Sequence, residues 1–128
     1  MTDFQNFIAL SRYARWKDNE NRRETWPETV ERYMENIISP YAYAVTDYEA
    51  LQKAIENFEV MPSMRAMMTA GPAANRDNTC IFNCSYLPVD DPKAFDEAMF
   101  ILLCGTGVGF SVERQYVSKL PEIPETLF

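Results

Sequence analysis

Three cysteines, Cys80, Cys84 and Cys104, carry most of the chemistry this sequence can offer. Cys80 and Cys84 stand at C-x₃-C spacing in "TCIFNCSYL". On a helix that spacing could bind a metal or form a pair. Along a strand it spans about 13 Å, whereas a disulfide needs Cα atoms within about 7 Å. If the stretch is a strand, the two cannot bond each other. A structural zinc site takes about four ligands, and too few are present. The sequence has no histidine, which also removes Ser-His and Cys-His catalytic pairs within the chain. The plain role of a cysteine is a small buried hydrophobe, and this suits Cys80 and Cys104. Cys84 differs. Asn83 and Ser85 flank it, and polar neighbours on both sides point to a place where the strand meets solvent or substrate.

The second feature is "CGTGVGFSVER", residues 104–114. Its alternating glycines look like a phosphate-binding loop, but the order of elements is wrong. A dinucleotide fingerprint runs strand, glycines, helix, with the pyrophosphate at the helix N-terminus. Here a helix precedes the glycines and a strand follows. A phosphate would meet the negative end of the helix dipole. No Gly-Lys-Ser/Thr is present, so a P-loop is excluded. Gly105 suits a helix C-cap. Gly107 and Gly109 exceed what a cap requires. They serve either tight packing of the loop or close approach of a ligand, and local pattern leaves both open.

These residues must be positioned by elements the chain can build. Its 128 residues suit one domain, and 47% hydrophobic content is enough for a core. A net charge of −7 argues against a nucleic-acid polymer as partner. No signal peptide and no membrane-length apolar run is evident, so the sequence predicts a cytoplasmic protein with reduced cysteines. Residues 5–14 have helical rhythm, with Phe7, Ile8, Leu10 and Tyr13 on one face. "KDNENRRE" reads as a loop. Thr25 to Glu28 is a capping box for a helix with Val30, Tyr33, Met34 and Ile37 in a stripe, ended by Pro40. Thr46 to Glu49 is a second box, opening a helix with Leu51, Ala54, Ile55 and Phe58 in register. Residues 61–78 read as irregular. A strand over 79–89 and a helix capped by Asp91 over 92–104 come next. A strand from Gly107 to Arg114 and an extended tail complete the chain. The spacing thus predicts helices over 1–75 and a parallel βαβ unit over 76–128. A lone βαβ unit predicts the front end of a larger α/β domain.

Several stretches together resemble the N-terminal part of a ribonucleotide reductase catalytic subunit: "SRYARW", "NRRETWPETVERY", "MPSMRAMMTAGPA", "NCSYLPVDDPKAFDEAMFILLCGTGVGFSVER" and "KLPEIPE". The likeness covers nearly the whole chain. It is greatest to the monomeric, adenosylcobalamin-dependent class II enzymes and their phage relatives. The resemblance implies an α/β fold, in which N-terminal helices lead into the first βαβ unit of a ten-stranded α/β barrel. Such enzymes convert ribonucleotides to 2′-deoxyribonucleotides for DNA synthesis by thiyl-radical chemistry.

Cys84 then matches the first cysteine of the family's redox pair. Ser63 matches a hydroxyl residue that donates to the substrate phosphate, and Asn83 a substrate-contacting neighbour of the redox cysteine. Thr106 and Gly107 match a loop that approaches the nucleotide. Arg65 is read either as a phosphate ligand or as a structural ion pair. The resemblance also implies adenosylcobalamin, or a separate metallocofactor subunit in its place, and a thioredoxin-type reductant. The radical cysteine, the second redox cysteine, the finger-loop residues and the C-terminal shuttle cysteines are not matched here, nor is an N-terminal ATP cone. The expectation is a section of a reductase, from a split gene or a truncation, active only with the rest of the catalytic chain. The competing expectation is a non-catalytic interaction or regulatory piece of the same fold.

Overall fold

The computed structural model describes residues 1–44 and 47–123. The chain divides into two compact units, Met1–Ile81 and the segment from Phe82 onward. Among the described residues no helix is long and apolar enough to cross a membrane.

The first unit is mainly helical. Helix α1, Asp3–Ile8, continues into a π-helical turn, Ala9–Tyr13. It begins earlier than the apolar rhythm suggests because Thr2 and Gln5 close a capping box. The expected face is buried only in part: Tyr13 packs against the core and Ile8 is half-buried, but Phe7 is 64% exposed while Ala9 is 7% exposed. The stretch "KDNENRRE" is a small hairpin, not a plain loop. Strands β1, Trp16–Lys17, and β2, Arg22–Arg23, pair antiparallel. Lys17, Glu20, Arg22 and Glu28 knit its turn to the next helix through ion pairs.

Helix α2, Trp26–Tyr33, opens on the expected box. The Thr25 hydroxyl accepts from the Glu28 amide, and Glu28 accepts from the Thr25 amide at 2.7 Å. Val30, Tyr33 and Met34 are buried, and Ile37 packs partly against them. Pro40 does not end the helix cleanly. A π turn, Met34–Ile38, passes into a 3₁₀ segment, Ser39–Ala44, kinked at Tyr41. Helix α3 is Tyr48–Glu56. Thr46 lies outside the described residues. The cap is Asp47, whose carboxylate accepts from the Ala50 amide at 2.9 Å. Residues 61–78 form two short helices, α4, Met64–Thr69, and α5, Pro72–Arg76, turned by Gly71 at φ 100°.

Arg32 holds this unit together. It donates to both Glu24 oxygens at 2.8 and 3.0 Å, and to the carbonyls of Tyr13, Met67 and Ala70 at 2.8–3.0 Å. Its donor fork is spent on one carboxylate and three backbone groups, tying α2 to the chain before it and to α4. Burial alone would push the Glu24 carboxyl up. Arg32, the Arg15 amide and Thr29 override that, and its pKa lies below the ordinary 4.5.

The second unit is a parallel βαβ arrangement. Strand β3, Cys84–Pro88, is followed by α6, Lys93–Leu103, and β4, Gly107–Ser111. The strands pair in parallel, with Cys84 opposite Gly107 and Tyr86 opposite Gly109. β3 is shorter than its β-forming composition predicts. Residues Asn78–Ile81 form a 3₁₀ turn, begun where the Asp77 carboxylate accepts from the Thr79 amide at 2.9 Å. The N-cap of α6 is Pro92, one residue later than expected, and Asp91 before it accepts from the Lys93 amide at 2.8 Å. β4 stops at Ser111 instead of running to Arg114. The chain then forms a short helix, α7, Arg114–Val117, where an extended tail was expected.

Candidate functional site

The start of β3 and the start of β4 lie side by side, and three hydrogen bonds lock them. The Thr106 hydroxyl donates to the Phe82 carbonyl at 2.9 Å. The Gly107 amide donates to the Asn83 carbonyl at 2.9 Å. The Ser85 hydroxyl donates to the Gly107 carbonyl at 3.1 Å. Backbone on both sides of Cys84 is therefore fixed to the loop that follows α6. Thr106 is 1% exposed; it acts from below, as the prop of that loop. Gly105, at φ 83°, sets the loop's direction. The Gly105 amide donates to Leu102 at 2.9 Å and the Thr106 amide to Ile101 at 3.2 Å. This is a Schellman termination with glycine in the left-handed position.

Cys84 itself is exposed and carries a free thiol. It is the first residue of its strand, not a mid-strand residue as the composition suggested. Cys80, in the preceding 3₁₀ turn, and Cys104, at the end of α6, are partly buried and not in a disulfide. The strand expected to hold Cys80 and Cys84 apart does not include Cys80, so that spacing argument does not apply to them.

Strand alternation defines two faces. Leu87 and Phe110 point toward α6, where they line an apolar groove of about 500 Å³ with Ala98 and Leu102. Cys84 and Tyr86 point the other way, with Gly107 and Gly109 across the ladder from them. The described glycines with positive φ are Gly71 and Gly105, so neither Gly107 nor Gly109 is required by backbone conformation. A Cβ at Gly107 would sit 3.4 Å from the Asn83 carbonyl oxygen, and one at Gly109 3.6 Å from that of Ser85. These are ordinary contacts, so the chain's own packing does not demand glycine either. The consequence of both residues is a bare strip of backbone beside the Cys84 thiol.

The structure thus brings Asn83, Cys84, Thr106 and Gly107 together at one end of the parallel pair. Ser63 belongs to the first unit, exposed at the N-cap of α4, where its hydroxyl accepts from the Ala66 amide at 3.4 Å. Arg65 lies partly buried on the same helix. Reading the residues singly overlooked Ser85 and Tyr86. The two-residue period of a strand was the signal that places Tyr86 on the face of Cys84.

No family model matches the chain. Curated proteins do. An adenosylcobalamin-dependent ribonucleoside-triphosphate reductase of Levilactobacillus brevis is 27% identical over 150 residues, covering 90% of this chain. The protein of that name from Lacticaseibacillus paracasei is 29% identical over 153 residues, with the same coverage. The chain is homologous to part of these reductases. It spans about 20% of their length. A Mycobacterium phage D29 protein bearing the same reductase name is 27% identical over 120 residues, and the match covers 17% of it. A crystal structure of a B12-dependent, class II ribonucleotide reductase superposes with a TM-score of 0.76 at 24% identity, over 90% of this chain and 21% of that one. The mixed helix-and-strand fold is therefore that of a section of a class II reductase.

Proposed function

We propose that this chain is a section of a ribonucleotide reductase and supplies one thiol of the redox pair, Cys84, together with part of the substrate face. The observation that carries this reading is an exposed, free thiol at a strand start whose parallel partner strand presents bare glycine backbone opposite. The homologues' reaction class gives that arrangement its chemistry. Two thiols become one disulfide, releasing two electrons and two protons. The ribonucleotide's 2′-hydroxyl leaves as water and a hydrogen takes its place. A thiyl radical elsewhere in the enzyme opens the path by removing the 3′-hydrogen. Cys84 supplies one of the two thiols. Its partner comes from polypeptide beyond this chain, and a thioredoxin-type reductant returns the disulfide to thiols.

In this account the strand pair is the first part of the family's barrel, and the rest of the catalytic chain closes over it. Thr106 holds the loop in place, Gly107 lets the sugar approach, and Asn83 and Ser63 contact the nucleotide. The homologues' name specifies adenosylcobalamin. The corrin ring and the cofactor's own base ligate its cobalt, so it calls for no cluster of protein ligands, and no step here is assigned to it.

The test is reconstitution. Mixed with the polypeptide that supplies the other four-fifths, the chain forms deoxyribonucleotides from ribonucleotides and a dithiol, and adenosylcobalamin raises the rate from background. A mixture that binds tightly yet stays inactive with every cofactor and substrate would favour the non-catalytic reading.

A further inference from the structure

A pocket of about 390 Å³ lies in the first unit, lined by Arg15, Trp16, Arg32, Pro72 and Ala73. That volume falls within the usual range of small-molecule sites. One wall is the Trp16 indole, 53% exposed. A tryptophan ring is ordinarily well covered, yet this one stands open on a fixed support. Trp16 pairs with Arg23 across the β1–β2 hairpin, and Lys17 beside it is anchored to Glu20 and Glu28. Pro72 and Ala73, where Gly71 turns the chain into α5, add apolar surface. Pro72 brings no backbone N–H that would need a partner.

The charges at this pocket do not cancel. Arg32 is paired with Glu24, and its remaining donors go to three carbonyls. Glu24 also accepts from the Arg15 backbone amide at 3.0 Å. The Arg15 side chain is spent differently. Its guanidinium donates to the Met68 carbonyl, and among the described residues no carboxylate is paired with it. One positive charge is therefore left over, in a chain whose net charge is −7. An arginine fork suits a phosphate, which it can grip through two parallel bonds.

We infer that this pocket binds a mononucleotide, with its base stacked on Trp16 and its phosphate on the Arg15 guanidinium. A flat ring and an anion in one small molecule match the two features that folding leaves unused. The indole accepts any base, because every base has a π face. A nucleic-acid polymer would be repelled by the acidic remainder of the chain, whereas a single nucleotide needs only the local positive point. The inference stands apart from the reductase reading, which gives these residues no role.

The test is a titration of the 128-residue chain with AMP, followed by the indole N–H signals of its two tryptophans in nitrogen-15 NMR. Trp26 is buried and its indole donates to the Glu56 carbonyl at 3.2 Å, so it is the internal control. The Trp16 signal moves to saturation while the Trp26 signal stays. Adenosine and inorganic phosphate each carry one half of the ligand, and each binds roughly tenfold more weakly than AMP. Arg15→Gln lowers AMP affinity roughly tenfold and leaves adenosine affinity as it was, which a damaged fold would not do. Trp16→Leu, followed by the Ala73 amide, loses roughly tenfold through the missing stack.

A Trp16 signal unmoved by millimolar AMP overturns the proposal, as does equal movement of both indoles. Adenosine binding as tightly as AMP overturns the role of Arg15, and phosphate binding as tightly overturns the stack on Trp16. Should either variant fail to fold, the three ligands on the native chain still decide. None of these results bears on Cys84, so the reductase reading stands or falls by its own reconstitution.

Discussion

The two units of the molecule use the same helix-ending device in opposite ways. In the first, α3 ends with Phe58 at φ 62°, a left-handed conformation that disfavours a bulky residue. The Phe58 amide donates to Ile55 at 3.1 Å and the Glu59 amide to Ala54 at 2.8 Å. The unit tolerates the strain because the Phe58 ring stacks on Trp26 at 4.9 Å. In the second, α6 makes the same bonds with Gly105, and there is no strain to offset. The first unit can spend core packing on an awkward turn, and the second cannot.

Burial shows the same contrast. Val30, Met34, Ile55 and Met67 are fully buried in the first unit, while Thr106 is the one comparably buried side chain among the described residues of the second. Helix α6 leaves Phe95, Met99, Phe100 and Leu103 in water, Leu103 at 80% exposure. The later turns of α6, apolar throughout from Ala98 to Leu103, suit an interior. The contrast teaches that the first unit encloses a core of its own while still exposing residues such as Phe4 and Phe7, whereas the second encloses almost none and offers an apolar surface to the rest of the reductase we propose.

Arg32→Ala strikes the self-contained unit hardest. It takes the charged partner from the buried Glu24 carboxylate, which keeps only the Arg15 amide and the Thr29 hydroxyl, and the donor from three carbonyls, and we expect a loss of about 3–5 kcal/mol, read by urea denaturation monitored by tryptophan fluorescence. A loss under 1 kcal/mol would show that the first unit is not held by this hub. In the second unit, Gly105→Ala forces a Cβ into the left-handed position and removes about 1 kcal/mol. Amide hydrogen exchange on α6 detects it, and unchanged protection would contradict the Schellman account.

Acid separates the units as well. Glu24 titrates lower in the folded chain than its ordinary 4.5. Its stabilisation is therefore complete above pH 4.5 and drains away as pH falls through that value toward the depressed one. The first unit should lose stability over this range, and Glu24→Gln should flatten that loss. An acid transition unaltered by the substitution would assign it to other carboxylates. The smallest effect belongs to Leu103→Lys. Removing an exposed leucine near the negative end of α6 should leave the chain's own stability within about 0.5 kcal/mol while reducing self-association in light scattering. Marked destabilisation would mean the side chain is already packed in the free chain.

The sequence made the fold legible wherever local chemistry was strong. The Thr25–Glu28 box, the stripe through Val30 and Met34 and the Gly105 termination all stand as read. What escaped it depended on geometry that pattern does not encode. The helical rhythm of residues 5–14 does not encode the π turn over Ala9–Tyr13, in which Ala9 is buried while Phe7 before it stays exposed. The β-rich stretch before Asn83 lost its first residues to a turn begun by Asp77. A four-residue helix after Glu113 left too short a period to see. The Arg32 hub joins residues up to 38 positions apart, which no window along the chain could connect. Among the candidate site residues, the grouping of Asn83, Cys84, Thr106 and Gly107 was readable from the βαβ order. The strand's two-residue period puts Cys84 and Tyr86 on one face, but that glycines stand opposite both needed the register.

The most direct test of the central claim is Cys84→Ser in the reductase reassembled from this chain and its complement, with multiple-turnover deoxyribonucleotide formation measured on a dithiol reductant. The account predicts that turnover falls to background while the variant still folds and associates. Sustained turnover at the native rate would show that Cys84 passes no electrons and would contradict the account at its root.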